Sequence, residues 1–220
     1  MKDPRQMTPE ERAAFQEQLH EFNKIRQQIH NAQIAATITQ NEIDKSPSRF
    51  CDFAVIVAVD QHRGIAKNGE LPWYYPEDGQ WFKNHTSNHP CVMGRLTYED
   101  INRRLGDKAK ESVLPGRQCF VISQTLESLP NATVIKTLTE VEIHLVDQPR
   151  QTVFVIGGER LFREGIARAN TVYLTVIDKD YECDKYFPVE YLDKHFKLTQ
   201  TFKPKTEMSN ELRFLVWTRK

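Results

Sequence analysis

One run of residues limits the fold of this chain more than any other feature. Every residue from Phe53 to Val59 is apolar, and most of them are β-branched. A strand with one face exposed to solvent alternates apolar and polar residues, whereas a strand buried on both faces can be apolar throughout. The run therefore predicts a strand inside a mostly parallel sheet that helices cover on both sides.

The pattern after this run alternates between short apolar stretches and amphipathic ones. Strands are expected at 119–123, 153–156 and 172–176, and helices at about 77–85, 97–105, 139–146 and 159–167. Such alternation is typical of the α/β class, in which right-handed crossovers join parallel strands. The last apolar series, Leu212 to Trp217, predicts an antiparallel edge or hairpin strand.

Residues 8–44 differ from the rest of the chain because they contain no glycine and a single proline, Pro9. Thr8, Pro9 and Glu11 form a helix start: a capping side chain, a proline at the first helical position and a glutamate three residues after the cap. Apolar or small residues then recur every three or four positions, at Phe15, Leu19, Phe22, Ile25, Ile29, Ala32 and Ala36. We therefore expect a helical extension with a linker over residues 1–48 and a separate domain over residues 49–220.

The composition argues against several classes of protein. Lys and Arg together number 30, as do Asp and Glu, so the chain lacks the basic excess of a general nucleic-acid binder. The N-terminus has no secretory signal, and no apolar run is long enough to span a bilayer. Four scattered cysteines form no Cys-x-x-Cys pair and indicate reduced thiols in a cytoplasmic protein. No metal site is expected, because turn-forming residues interrupt the segment that holds His85, His89 and Cys91.

Two segments have residue types suited to ligand binding. Ligands of parallel sheets bind beyond the carboxyl ends of the strands, where the glycine-bearing loop from Gly64 to Trp73 follows the first strand. Asp78 falls in the first turn of the next helix among aromatic residues, although an ordinary helix N-terminal charge also explains it. Gly157 and Gly158 begin a later helix, so that bare backbone can approach a pyrophosphate; the pair alone is a weak signal.

Eight segments in one order resemble the motifs of the dihydrofolate reductase family. They are Leu71–Trp73, Pro76–Asp78, Val92–Glu99, Leu114–Arg117, Val121–Ser123, Val155–Gly158, Tyr173–Thr175 and Asp184–Pro188. Each is weak alone, and their shared order over residues 52–220 carries the resemblance. It implies a three-layer α/β sandwich with a central, mostly parallel, twisted sheet. It also implies an enzyme that uses NADPH to reduce 7,8-dihydrofolate to tetrahydrofolate, in one-carbon metabolism that feeds thymidylate synthesis.

The resemblance assigns residues to the substrate. Asp78 would bond the 2-amino group and N3 of the pterin, Thr175 would steady Asp78, and Leu71 and Trp73 would complete the catalytic set. Arg117 would pair with the α-carboxylate of the substrate's glutamate. Two alternatives stay open: Thr175 as an ordinary strand residue, and Arg117 as a surface arginine after a Pro-Gly turn. The residues that would line the substrate pocket are Ile56, Val57, Tyr75, Phe82, Ile101, Leu114 and Ile156.

The resemblance also assigns a site for NADPH. Ala58 and Ile65 would touch the nicotinamide. Near the adenosine 2′-phosphate would lie Arg95, Ser123, Gln124 and Arg160, and the two guanidinium groups there favour NADPH over NADH. The remaining cofactor residues would be Gly94, Leu96, Thr97, Ile156, Gly157, Gly158, Glu159, Leu161 and Phe162.

The chain departs from the family pattern at three single positions and in a longer polar insertion, Arg103 to Ser112, before Leu114. Gly79 replaces the bulky apolar residue usual after the catalytic Asp, Ala66 replaces a loop glycine, and Lys185 replaces a small hydroxyl residue. Two other functions stay open: a pterin or flavin-pathway reductase on the same fold, and a binding protein that has kept a reductase domain. The intact segment from Trp73 to Asp78, together with Arg117, favours dihydrofolate reductase.

Overall fold

A computed structural model describes Thr8 and residues 50–106, 112–204 and 210–220. The helical extension and linker expected over residues 1–48 lie, apart from Thr8, outside the described residues. The described segments build one large sheet and one small sheet, with helices on both faces of the large one.

Ten strands occur in the described residues: β1 Cys51–Val59, β2 Gly64–Ala66, β3 Cys91–Gly94, β4 Cys119–Ile122, β5 Thr133–Ile135, β6 Gln151–Val155, β7 Ala169–Ile177, β8 Lys185–Tyr186, β9 Phe196–Phe202 and β10 Leu212–Arg219. The helices of the same segments are α1 Pro76–Thr86, α2 Arg95–Leu105, α3 Thr139–Leu145, α4 Glu159–Arg168 and α5 Val189–His195. Eight strands form the main sheet in the order β5-β4-β3-β6-β1-β7-β10-β9, and β2 pairs separately with β8.

Strand β1 lies inside this sheet, as its unbroken apolar sequence predicts. It pairs in parallel with β6 and β7, and parallel pairing continues through β3, β4 and β5. Strand β10 runs antiparallel to both β7 and β9, which confirms the antiparallel C-terminal strand expected from the sequence. The parallel strands bring their carboxyl ends to one edge, where ligands bind in sheets of this kind.

Side-chain alternation along β1 divides the core into two layers. Val55 and Val57 belong to a cluster that includes buried residues of α3, α4 and α5. Ala54 and Ile56 point to the opposite face, where Phe82 of α1 packs against their cluster. Residues of α2 cover β3 and β4 on that same face. The result is the three-layer α/β sandwich that the resemblance implied.

Several elements were not expected from the sequence. Strands β3 and β5 have four and three residues, which is too few for a residue pattern to mark them. Strand β9 forms an edge of the main sheet, and every residue after Phe196 in it is exposed. It therefore has no apolar run that would signal a strand. The two-stranded β2–β8 sheet and helix α5 were also not expected.

Candidate active site

The first turn of α1 places Asp78 beside the buried strand β7. Pro76 lies at the helix start, and the Tyr75 carbonyl accepts the Gly79 N–H at 3.0 Å. The Thr175 hydroxyl donates a hydrogen bond to the Asp78 carboxylate, and Thr175 itself is 1% exposed. The structure thus brings together the two residues that the resemblance had paired.

Burial dominates the electrostatics of Asp78. The carboxyl group of Asp78 is surrounded by protein atoms. The residue as a whole is only partly buried, because it also lines a cleft. Because removal from water penalises the charged form, burial raises the pKa of Asp78 above its ordinary value. The hydrogen bond from Thr175 opposes this rise, since it stabilises the carboxylate, but its effect is smaller.

The raised pKa of Asp78 predicts a gain in stability when its charge is removed. Burial in the native state disfavours the charged form of Asp78, whereas in the unfolded chain the carboxylate is surrounded by water. Asp78→Asn should therefore raise the free energy of unfolding at neutral pH, by about 1.4 kcal/mol for each unit of pKa shift. The gain should shrink as the pH falls through the native pKa of Asp78, because the wild-type native state then takes up a proton.

Urea unfolding of the ligand-free protein at neutral pH and at about pH 5 measures this difference. Asp193→Asn, which removes an exposed carboxylate of α5, provides the matched control. If Asp78→Asn were no more stable than the wild type at neutral pH, Asp78 would not titrate above its ordinary range.

A cleft of about 360 Å³ opens beside Asp78, and a volume of this size is in the range of small-molecule sites. The predicted catalytic residues Leu71, Trp73 and Asp78 all line it. Trp73 is buried, and its indole N–H has no acceptor among the described residues. The full lining is Leu71, Trp73, Tyr74, Tyr75, Pro76, Asp78, Gly79, Gln80, Lys83 and Arg104.

Gly79 leaves one wall of this cleft open. A Cβ added at this position would meet no atom within 4 Å. A glycine inside a helix costs about 0.5–1 kcal/mol relative to alanine, and neither crowding nor a left-handed backbone requires one here. The departure from the family pattern at Gly79 therefore creates empty space next to Asp78.

The apolar residues expected around the substrate come together on the α1 face of the sheet. Ile56 packs in one cluster with Phe82, Leu114 and Ile156. Leu114 and Ile156 also pack against a second cluster, which includes Ile101. These five side chains therefore form one continuous apolar surface.

Val57 and Phe162, both expected at ligand sites, are limited in the contacts that they can make with a ligand. The alternation of β1 turns Val57 to the opposite face, where its side chain packs in the same core cluster as Leu161 and Phe162. Val57 can therefore meet a ligand on the α1 face through its backbone alone. The Phe162 N–H already donates to the Gly158 carbonyl at 2.8 Å, so Phe162 has no backbone donor left for a phosphate.

Arg117 is held in place by neighbours of α1. Its Nε donates to the Thr86 hydroxyl at 2.9 Å, and one terminal nitrogen donates to the Pro115 carbonyl at 3.0 Å. The guanidinium lies 5.7 Å from the centre of the Phe82 ring. No carboxylate in the described part of the chain forms an ion pair with it. An arginine fixed beside an expected pocket residue suits a ligand carboxylate better than a freely mobile surface arginine would.

The loop between β2 and α1 is fixed from two sides. The Asn68 N–H donates to the Asp184 carboxylate at 3.2 Å. From α2, Arg104 donates to the Leu71 carbonyl at 2.8 Å. Arg104, which no sequence motif marks, therefore holds Leu71 at the cleft.

Two helix starts meet at the carboxyl edge of the sheet. Helix α2 follows β3 through Gly94, helix α4 follows β6 through Gly158, and neither has a side-chain cap within the described structure. The Gly94 N–H donates to the Gly157 carbonyl at 2.7 Å. A Cβ on Gly157 would lie 3.1 Å from the Thr97 hydroxyl oxygen, so bare backbone permits the close approach. Uncapped N–H groups at two adjacent helix ends suit a diphosphate, and the site fits NADPH in this respect.

The residues expected near the adenosine 2′-phosphate lie at the same edge. Arg95 and Arg160 are exposed in the first turns of α2 and α4, and Arg95 also pairs with Glu99 at 2.6 Å. Ser123 directly follows β4, and its hydroxyl accepts the Leu126 N–H at 3.1 Å. Both arginines therefore remain accessible to an anionic ligand from solvent.

Lys136 is a third cation at this edge, and no sequence motif marks it. Its ammonium group donates to the carbonyls of Ser123 at 3.0 Å and Leu126 at 2.9 Å. Gln124 donates in turn to the Lys136 carbonyl at 2.8 Å. A lysine directly after a parallel strand could have indicated this position, but β5 has only three residues and is too short to be recognised from the sequence.

The histidines near the start of β3 pack against aromatic rings. The His85 ring lies 4.2 Å from the rings of both Trp81 and Tyr173, and the His89 ring lies 5.5 Å from that of Phe154. Among the described residues, no group of three or more His, Cys, Asp or Glu side chains is arranged to hold a metal ion.

Two uncapped helix starts at the carboxyl edge of a parallel sheet, together with a cleft lined by a carboxylate, suit an oxidoreductase that binds a nicotinamide dinucleotide. A family model for dihydrofolate reductase matches residues 52–219. The chain belongs to the dihydrofolate reductase family, and its reaction is the NADPH-dependent reduction of 7,8-dihydrofolate to 5,6,7,8-tetrahydrofolate. The family, fold and reaction expected from the sequence are thereby confirmed.

Individual relatives agree with the family model. Dihydrofolate reductase of Bacillus subtilis (strain 168) is 32% identical over 168 residues, which are 75% of this chain and 93% of that protein. The Haemophilus influenzae enzyme is 30% identical over 169 residues, 76% of this chain and 99% of that protein. The structure of Enterococcus faecalis dihydrofolate reductase with NADP(H) and RAB-propyl matches with a TM-score of 0.66 at 25% identity, over 77% of this chain and 96% of that one.

Proposed function

We propose that Asp78 binds the pterin of dihydrofolate in this reaction. The observation that carries the proposal is a buried carboxylate, bonded by Thr175, at the wall of a cleft of ligand size. Such a carboxylate can accept hydrogen bonds from the 2-amino group and N3 of the pterin. Its negative charge also stabilises the protonated pterin, which is the form that accepts a hydride at C6.

The proton reaches N5 through water in this proposal, because Asp78 binds the opposite edge of the ring. Trp73 lines the same cleft, and its buried indole N–H has no acceptor among the described residues. Leu71 lines the cleft from the loop that Arg104 anchors. The apolar wall formed by Ile56 and its neighbours excludes other water from the ring.

When bound, NADPH supplies the hydride for C6. The backbone N–H groups at the starts of α2 and α4 hold its diphosphate in this proposal, and the two arginines there hold the 2′-phosphate. Ala58 and Ile65 would border the nicotinamide, since Ala58 pairs with Thr175 across β1 and β7. The cofactor would thus be placed next to the residue that supports Asp78.

The glutamate of dihydrofolate is assigned to Arg117. Its contacts with Thr86, Pro115 and the Phe82 ring fix the plane of the guanidinium before a ligand arrives. A fixed planar donor can bind a carboxylate through two parallel hydrogen bonds, which is the geometry that arginine favours.

An absorbance assay of NADPH oxidation, with and without 7,8-dihydrofolate, tests the proposed function directly. Oxidation should depend on dihydrofolate and should yield tetrahydrofolate. Turnover of another pterin or of a flavin precursor, with none of dihydrofolate, would instead place the chain among the related reductases on this fold.

We further propose that the enzyme works in the cytoplasm. All four cysteines are buried and free, as is usual in a reducing compartment. No helix of the described residues is both long enough and apolar enough to cross a membrane.

The apolar stripe of residues 8–44 supports a third proposal, that this segment associates with a second copy of the chain. An isolated helix of this length is marginally stable in water, because most helix stability comes from burying an apolar face. The stripe does not follow a regular heptad: with Phe15, Phe22 and Ile29 at d, position a holds Leu19 and then Arg26. An irregular association therefore fits better than a two-stranded coil, and docking on the same chain or on another protein would be the alternatives.

Deleting residues 1–48 should leave dihydrofolate reduction largely intact, because every residue assigned to the site follows residue 55. The same deletion should abolish self-association. Light scattering of the full and truncated chains over a range of concentrations, together with steady-state kinetics, measures both effects. A full-length chain that stays monomeric throughout would eliminate self-association, and a loss of activity on truncation would show that the extension is part of the enzyme's fold.

A further inference from the structure

Three polar side chains from distant parts of the chain meet beside the cleft. The Tyr75 hydroxyl donates to the Glu211 carboxylate and lies 2.8 Å from the Tyr181 hydroxyl. Tyr75 precedes α1, Tyr181 follows β7, and Glu211 precedes β10. We name these residues the Tyr–Glu cluster. Burial, followed by the contact with Glu211, raises the pKa of Tyr75, so that the phenol keeps its proton and remains a donor.

The Tyr–Glu cluster contacts both sides of the catalytic arrangement. Tyr75 is the N-cap residue of α1, and this helix has no side-chain cap hydrogen bond. The start of the helix that carries Asp78 is therefore held through the ring and hydroxyl of Tyr75. On the other side, the Tyr181 ring lies 5.2 Å from the Trp73 ring, and both tyrosines pack against the cluster that contains Trp73.

The central strands hold the Tyr–Glu cluster in place. The Asp178 N–H donates to the Glu211 carbonyl at 2.8 Å, which ties the turn before β10 to the end of β7. The Tyr181 N–H donates to the Asp60 carboxylate at 3.3 Å, and Asp60 is a buried residue directly after β1. The Tyr–Glu cluster therefore links Asp78 and Trp73 to the ends of the central strands β1 and β7.

We propose that Tyr75, Tyr181 and Glu211 form a positioning network for dihydrofolate reduction. The network fixes the separation of Asp78 and Trp73 and thereby the orientation of the pterin relative to the hydride donor. The inference rests on the pterin-binding role proposed for Asp78. None of the three residues needs to touch the reacting atoms, since their effect passes through Asp78 and Trp73. Hydride transfer is sensitive to this alignment, because the reacting atoms must be held at near-contact distance.

Tyr75→Phe is the sharpest test, since it keeps the ring and removes the hydroxyl that binds Glu211. The single-turnover rate of hydride transfer from NADPH should fall about 10-fold, the scale of a lost hydrogen bond to a charged group, while NADPH affinity stays unchanged. Glu211→Leu should cause a similar loss, and the double variant should lose no more than either single one. Glu211→Gln keeps an acceptor for Tyr75 and should recover most of the rate.

Tyr191→Phe and Glu190→Gln on α5 make the same chemical changes away from the cleft, and both should react at the wild-type rate. Urea unfolding of every variant separates positioning from packing. If Tyr75→Phe lowered stability but left the hydride-transfer rate unchanged, the network would be structural and the inference would be wrong. Fully additive losses in the double variant would likewise show that Tyr75 and Glu211 do not act together. A wild-type chain without dihydrofolate reduction would overturn the proposed function instead.

Discussion

Asp78→Asn should lower kcat for dihydrofolate reduction at neutral pH by about two orders of magnitude or more, the scale of acid–base assistance. Asparagine keeps the shape of the side chain and can still accept the Thr175 hydroxyl, but it lacks the charge that stabilises protonated pterin. The loss should lessen at low pH, where the substrate is already protonated in solution. Steady-state kinetics over a series of pH values measure both effects.

The unfolding measurements on the same variant make this result interpretable. A variant that is more stable and less active than the wild type has lost a functional charge and has not simply misfolded. Asp193→Asn should match the wild type in both respects. Near-normal turnover of Asp78→Asn at neutral pH would remove Asp78 from its proposed role.

The second large effect concerns the choice of cofactor. If Arg95 and Arg160 bind the 2′-phosphate, kcat/KM should favour NADPH over NADH by about 2 kcal/mol or more, which is roughly 30-fold. Replacing both arginines with glutamine should remove most of this preference, because the remaining contacts are common to the two cofactors. Steady-state kinetics with each cofactor, for the wild type and the double variant, measure the change.

Arg163→Gln serves as the control for this comparison. Arg163 also lies in α4, but it pairs with Glu159 at 3.0 Å and has no assigned contact with the cofactor. It should keep the wild-type preference for NADPH. Equal kcat/KM with both cofactors in the unmodified enzyme would show that the 2′-phosphate site has been assigned to the wrong residues.

Among the strands, the sequence predicted those that contain a run of apolar residues. Strand β1 is the clearest case, because a strand inside the sheet needs apolar residues at every position. Strand β9 was missed for the opposite reason: as an edge strand it is exposed after its first residue. Its pairing with β10 depends on backbone hydrogen bonds, which leave no mark on residue types.

The site was predictable where a residue's role follows from its local segment. Glycines at helix starts and an aspartate in a first helical turn can be recognised from a few consecutive residues. The contact between Tyr75 and Glu211 joins residues 136 positions apart, and no local pattern indicates it. The direction of Val57 could have been inferred, since its position alternates with that of Ile56 along one strand. The Val57 side chain packs in the core on the opposite face, so its place in the substrate pocket, through its backbone, stays a prediction.

Gly79 leaves space beside Asp78 that a larger side chain at this position would occupy. A Cβ added at Gly79 would have no atom within 4 Å. A bulky apolar side chain, which is usual at this position in the family pattern, would fill that space. An inhibitor that carries an added apolar group towards this space would find room in this enzyme and would collide with that side chain in the others. The absence of a side chain at Gly79 thus gives a basis for inhibitors that discriminate between enzymes with the same reaction and the same cofactor.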